Sequence, residues 1–189
     1  MIPFFGSLVS RETTASAMPE LEAEIVRLFD QMRGRLMRYA LSLGIAIPDA
    51  EEIVQDVFLA LFRHLSSGGS RHSLGGWLFQ VTRNLSLKRR AAIATRLTDH
   101  FGDDRAAESA QVAHPDPTPE DQIAFQQRQD RLRSVVSALP EMDRECLYLR
   151  AEGLRYREIA EVLGISIGSV ANSLARSLAR LTAADERLG

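Results

Sequence analysis

Apolar residues recur at helical spacing along most of this 189-residue chain, and the breaks in that rhythm mark its elements. Pro19-Glu20-Leu21-Glu22 opens a first helix, with proline at a tolerated early position and acids in the first turn. Ile25, Leu28, Phe29, Met32, Leu36 and Tyr39 carry it towards Gly44. A second helix is expected from near Asp49 to Leu65, with Ile53, Val57, Leu61 and Leu65 in one row and Val54, Phe58 and Phe62 in the next. Its other side presents Glu51, Glu52, Gln55 and Asp56, a patch that is either a solvated face or a docking site. After a loop from Ser66 to Ser73, a third helix holds Trp77, Leu78, Val81 and Leu85 and is expected to end near Ala92. Arg83, Asn84, Lys88, Arg89 and Arg90 crowd its second half, with Asn84 and Lys88 one turn apart. The spacing of Trp77 with Leu78 and Val81 favours a place in the core over a stacking platform.

The pattern fades from Thr98 to Pro119 into acids and the turn-forming run His114-Pro115-Asp116-Pro117-Thr118-Pro119, an extended linker. Thr118 and the residues after it cap a fourth helix, on which Leu132, Val135, Val136 and Leu139 keep helical spacing, and Pro140 begins a fifth that ends at Gly153. In the run from Tyr156 to Leu163, Ile159, Ala160 and Leu163 share a face, and Gly164 supplies a sharp turn. Ser166 is a good N-cap for the next helix, where Val170, Leu174, Leu178 and Leu181 form an apolar stripe. The opposite face carries Ser169, Asn172, Ser173, Arg176 and Arg180. This is a helix-turn-helix whose second helix can lie in a major groove, with short polar groups near its N-terminus for base edges and arginines further along for phosphates. The plain alternative is a helical hairpin in a bundle.

The fold class that follows is all-α, two small helical domains joined by an acidic flexible linker. Residues 1–18 are expected to be a disordered tail, 19–97 the first domain, 98–117 the linker and 118–189 the second domain. The net charge of −2 conceals this division. Residues 19–97 hold eleven basic and eight acidic groups, 98–130 hold two and eight, and 131–189 hold nine and eight. The acid therefore sits between two mildly basic ends.

Candidate chemistry is sparse. The lone Cys146 lies in an apolar run and reads as a buried small hydrophobe of a reducing cytoplasm. His64, His72, His100 and His114 have no partner at metal-ligand spacing, so neither a metal nor another cofactor is expected. There is no phosphate-binding glycine loop and no nucleophile elbow, so nothing argues for an enzyme. No apolar run approaches membrane-spanning length and the N-terminus does not read as a signal peptide, which makes the expected location cytoplasmic, without membrane insertion.

Three stretches in order, Asp49-Ala50-Glu51-Glu52-Ile53-Val54-Gln55-Asp56-Val57-Phe58, then Trp77-Leu78-Phe79-Gln80-Val81-Thr82-Arg83-Asn84, then Leu139-Pro140-Glu141 with the helix-turn-helix, resemble the extracytoplasmic-function sigma factors of the sigma-70 family. The resemblance covers residues 19–182. It implies a bacterial transcription initiation factor that binds core RNA polymerase, directs it to specific promoters and promotes melting. Residues 19–97 would be the core-binding and minus-ten-melting domain (region 2-like), and 118–189 the minus-thirty-five-binding domain (region 4-like). By resemblance, Glu51, Glu52, Gln55, Asp56 and Leu59 dock on the clamp helices of the polymerase largest subunit, whose partner surfaces also include the flap. Asn84 would read a flipped minus-ten base while Arg83, Lys88, Arg89 and Arg90 hold phosphates. Arg157, Ser166, Ser169, Asn172, Ser173, Arg176 and Arg180 would meet the minus-thirty-five element. Promoter DNA is the second implied partner, and an anti-sigma factor a candidate third. Two departures stand out. The loop Ser66-Ser67-Gly68-Gly69 lacks the aromatic that relatives often place against the flipped base. Ala171 and Ser173 occupy positions that relatives commonly fill with basic residues, which implies a weak upstream contact. The rival readings are a sigma-like interaction protein or decoy carried to DNA by another complex, and a stand-alone helix-turn-helix regulator.

Overall fold

A computed structural model describes residues 9–99 and 119–185. Seven helices account for them in the order α1 Val9–Ser42, α2 Ile47–Ser66, α3 Leu74–Asp99, α4 Pro119–Ser137, α5 Glu141–Ala151, α6 Tyr156–Leu163 and α7 Ile167–Asp185, with no strand among the described residues. Most of the expected acidic linker lies outside the described residues.

Helices α1, α2 and α3 pack on one another as the first domain. The two apolar rows of α2 merge into one broad buried face of Ile53, Val54, Val57, Phe58, Leu61 and Leu65. It closes against Leu36, Tyr39, Leu78 and Phe79, all but excluded from solvent, and the Tyr39 and Phe79 rings meet edge to face at 5.4 Å. The α1–α2 turn depends on Gly44 at φ 80°, a left-handed conformation that a side chain would strain. Two boundaries differ from expectation. Helical backbone begins at Val9, so Pro19 lies inside α1 rather than opening it, at the loss of one backbone donor. Helix α3 continues to Asp99, seven residues past Ala92, because Ala91 to Leu97 contains neither glycine nor proline to stop it.

Helices α4 to α7 form the second domain, with α7 against α4, α5 and α6. The domains also touch: α3 packs on α6 and α1 on α5. Cys146, Leu149, Leu154 and Ile159 join the same buried cluster as Leu36, Tyr39 and Phe79, so one apolar core runs through both.

Candidate nucleic-acid interface

Helices α6 and α7 meet at 105°, inside the range of a DNA-binding helix-turn-helix. Gly164 takes φ 68° and lets the chain turn there, while the Glu158 carboxylate accepts the Arg155 backbone N–H at 2.8 Å and secures the start of α6. Ser166 is the N-cap of α7 as expected: its Oγ accepts the Ser169 N–H at 3.0 Å. Ile159, Ala160, Val162 and Leu163 of α6 and Val170 and Leu174 of α7 are buried between the helices and the rest of the domain.

Ser169, Asn172, Arg176 and Arg180 lie on the exposed side of α7, and Arg157 projects from α6 beside Glu161 at 3.2 Å. Ser173 departs from the expected DNA face. It is 1 % exposed and donates to the Asp143 carboxylate of α5, so it faces the core. Leu178, expected in the apolar stripe, is instead 55 % exposed. The reason is angular: at about 100° per residue, Leu178 sits about 80° from Val170, whereas Ser177 is only about 20° away on the other side. The buried row is therefore Val170, Ser173, Leu174 and Ser177. The two serines are tolerated there because each has an acceptor: the Asp143 carboxylate of α5 for Ser173, and the Ser173 carbonyl of α7 itself, at 2.9 Å, for Ser177. Asp143 also accepts Arg176 Nη2 at 2.7 Å and Nε at 3.2 Å, and that guanidinium, with the Ser173 hydroxyl, holds the Asp143 carboxyl below the usual carboxylate range.

In the first domain, Glu51, Glu52, Gln55, Asp56 and Leu59 all lie on the exposed side of α2, with Leu59 54 % exposed among polar neighbours. Glu52 is not simply solvated. Arg89 of α3 donates to its carboxylate at 2.5 Å and to Asp49 at 2.8 Å, which ties a residue expected at the polymerase face to one expected at DNA. The basic cluster of α3 splits the same way. Asn84 and Lys88 are exposed one turn apart, but Arg83 and Arg90 reach across to the second domain. Arg83 Nε donates to Glu145 at 2.7 Å and Arg90 Nη1 to Glu141 at 2.7 Å. Trp77 is half-buried against the core, as its spacing implies, and stacks on the His64 ring at 4.9 Å. Among the described residues no group of histidine, cysteine or acid could hold a metal. No single helix there is long and apolar enough to cross a membrane. Cys146 is buried, and burial pushes its thiol pKa up, away from reactivity.

The sequence reading missed the ionic layer between the domains. Glu145 is 3 % exposed and accepts both Arg83 and the Tyr39 hydroxyl, the latter at 3.2 Å. Glu152 accepts Arg35 Nε at 3.2 Å, Arg38 Nε at 2.9 Å and Arg38 Nη2 at 3.0 Å. Burial raises the Tyr39 pKa far above its ordinary value, so its hydroxyl stays a neutral donor. One signal was available: Glu141, Glu145 and Glu152 fall on a single helical face.

A three-helix domain bearing a basic last helix, followed by a helix-turn-helix domain, defines a class that comparison makes explicit. Residues 28–96 match the sigma-70 region 2 family and residues 129–181 match sigma-70 region 4. The RNA polymerase sigma factor CnrH of Cupriavidus metallidurans is 31 % identical over 166 residues, covering 83 % of this chain and 86 % of CnrH. The ECF RNA polymerase sigma factor SigE of Mycolicibacterium smegmatis is 32 % identical over 171 residues, 88 % of this chain and 62 % of SigE. Two solved structures share the fold: the sigma factor RpoE of Bartonella quintana in complex with the anti-sigma factor NepR (TM-score 0.68, 20 % identical, covering 86 % of this chain and 97 % of that one) and CnrH in complex with the cytosolic domain of CnrY (0.58, 23 % identical, 88 % and 90 %). The chain belongs to the sigma-70 family, within its extracytoplasmic-function group of RNA polymerase sigma factors. Its function is that of a sigma factor in transcription initiation, a regulatory role. Both regions on one chain disfavour the decoy and the stand-alone regulator.

Proposed function

We propose that this sigma factor docks on the clamp helices of the polymerase largest subunit through Glu51, Glu52, Gln55, Asp56 and Leu59. The observation that carries the reading is the outward face of α2, where an exposed leucine stands among acids and amides directly opposite the buried rows. An exposed leucine at the end of a row of acids and an amide suits a basic partner surface with an apolar contact beside it. On α3, Asn84 reads a base of the opened minus-ten element and Lys88 holds phosphate, since a side-chain amide can pair with a base edge whereas an ammonium acts as a point charge. On the helix-turn-helix, Ser169, Asn172, Arg176 and Arg180 meet the minus-thirty-five element, with Arg157 on backbone phosphate. The Ser166 hydroxyl is already engaged in capping α7, so it positions the helix rather than reads DNA. The second domain contacts the polymerase flap, and an anti-sigma factor holds the protein silent until a signal arrives. The protein catalyses nothing itself and works in the cytoplasm. Mixing the purified chain with core polymerase and a promoter library, then mapping transcript starts, tests the reading. Starts that share upstream motifs are expected, and starts no different from those of core polymerase alone would overturn it.

A further inference from the structure

A buried acid stands directly behind the exposed side of the recognition helix. Asp143, in the first turn of α5, accepts Arg176 Nη2 at 2.7 Å, Arg176 Nε at 3.2 Å and the Ser173 hydroxyl. A guanidinium carries five N–H donors in one rigid plane. Asp143 takes the edge formed by Nε and one hydrogen of Nη2, so the adjacent edge, formed by Nη1 and the second hydrogen of Nη2, is left over. The Arg176 side chain is 57 % exposed, whereas that of Asp143 is 3 % exposed, so the paired edge faces inward and the other faces out. Ser169 and Arg176 are seven residues apart, about two turns, and both are exposed with Asn172 between them. The open edge of Arg176 therefore belongs to the row that would face a groove. An anion at this place does not help to hold DNA by charge alone, because it lowers the positive potential that draws phosphate. What it supplies is direction. An arginine gripped at two points along one edge keeps few of its rotamers and presents its other edge from a fixed place.

We infer that Asp143 is a positioning residue for promoter recognition: it holds Arg176 so that the open Nη1–Nη2 edge meets O6 and N7 of one guanine in the major groove of the upstream element. The inference rests on the proposed minus-thirty-five role of α7 and gives that role a base. Guanine carries two acceptors side by side on its major-groove edge, which suits two parallel N–H donors. Adenine puts a donor in one of those two places, and thymine and cytosine offer one acceptor or none. Phosphate is left to Arg180, exposed one turn further along α7. Ser173 acts one step behind: its hydroxyl fixes the Asp143 carboxylate that in turn fixes the arginine.

The test assembles the full chain with core polymerase, selects DNA from promoters randomised across the upstream element, and sequences what is bound. Wild type is expected to prefer guanine at one position by about tenfold or more, which corresponds to about 1.4 kcal/mol. Asp143→Asn keeps the size of the side chain and removes its charge. Preference at that position should fall to about threefold or less while the other positions keep theirs, and affinity for duplexes of unrelated sequence should rise because an anion has gone. A role in stability alone would instead weaken binding at every position alike. Arg176→Lys keeps the positive charge without the two-donor edge, so it should lose the same preference, and adding Asp143→Asn to it should change that preference no further. Ser173→Ala disturbs the same buried cluster but leaves both Arg176 bonds, so it should retain the guanine. If Asp143→Asn does not fold, Arg176→Lys decides, and a lysine that still selects guanine overturns the inference. Unchanged guanine preference in Asp143→Asn, a loss spread evenly over all positions, or a wild-type motif without a guanine position overturns it while the minus-thirty-five reading stands. If wild type selects no upstream motif, that reading fails as well, so the two failures are distinct results.

Discussion

Replacing Asp143 with alanine probes the one buried carboxylate that holds α5 to the recognition helix. Asp143 is in the first turn of α5, where the helix dipole favours an acid, and it accepts the buried Ser173 hydroxyl together with two nitrogens of Arg176. In Asp143→Ala the charge-assisted bond from Ser173 is lost and that hydroxyl stays buried without its acceptor, a cost of about 1.5–3 kcal/mol. Arg176 is more than half exposed, so water takes over its bonds and no stability is assigned to it. Because one core runs through both domains, the chain unfolds as one unit, and a transition about 3–12 °C lower is expected from the usual 2–4 °C per kcal/mol at this size. Ser173→Ala alone should cost about 1 kcal/mol, and the double variant should cost less than the sum of the two. The pH dependence has a definite sign. The Asp143 pKa is depressed in the folded state, so its contribution is complete above the unfolded value of about 3.9 and is lost as pH falls through the lower folded value. Urea melts at pH 7 and at pH 3 should therefore show the gap between wild type and Asp143→Ala narrowing in acid. A difference below about 0.5 kcal/mol at pH 7, the level of an ordinary surface change, or a gap that is the same at both pH values, refutes the account.

Ser173→Arg should not strengthen upstream DNA binding but lower the melting temperature, because it forces a guanidinium into a buried site, whereas Ala171→Lys at the partly exposed neighbour should steepen the logarithmic salt slope of duplex binding by up to about 0.9; fluorescence anisotropy and thermal melts separate the two. Gln55→Lys with Asp56→Lys should weaken retention on core polymerase while circular dichroism stays native, since neither side chain enters the core. Asn84→Ala should change which minus-ten sequences are opened, and Lys88→Ala should lower opening on all of them; permanganate footprinting over a panel of promoters distinguishes a change of preference from a uniform loss. Ser86 is fully buried with no partner for its hydroxyl among the described residues, so Ser86→Ala should leave stability unchanged or raise it by about 1 kcal/mol in denaturant melts, and a loss of more than that would mean the hydroxyl is satisfied.

The sequence by itself determined the order of the helices and the inner faces of α2 and α6, but not that of α7, where Ser173 and Ser177 are buried and Leu178 is exposed. The double row of α2, the Gly164 turn and the Ser166 cap are local matters of periodicity, backbone freedom and a side chain reaching three residues along, and all three stand in the structure. The outward placing of Glu51, Glu52, Gln55, Asp56 and Leu59 follows from the same periodicity. What only the tertiary structure decided is which polar groups pair across elements. Periodicity assigned Ser173 to the outside because serine is polar, yet a carboxylate thirty residues away in sequence gives it an acceptor, and burial costs little once that bond is made. It likewise treated Arg83, Arg89 and Arg90 as a single basic cluster, although Arg83 and Arg90 each find an acid on α5 and Arg89 finds two on α2. Local rules fix where a side chain points from its own helix. Which charge meets it there depends on how helices distant in sequence pack.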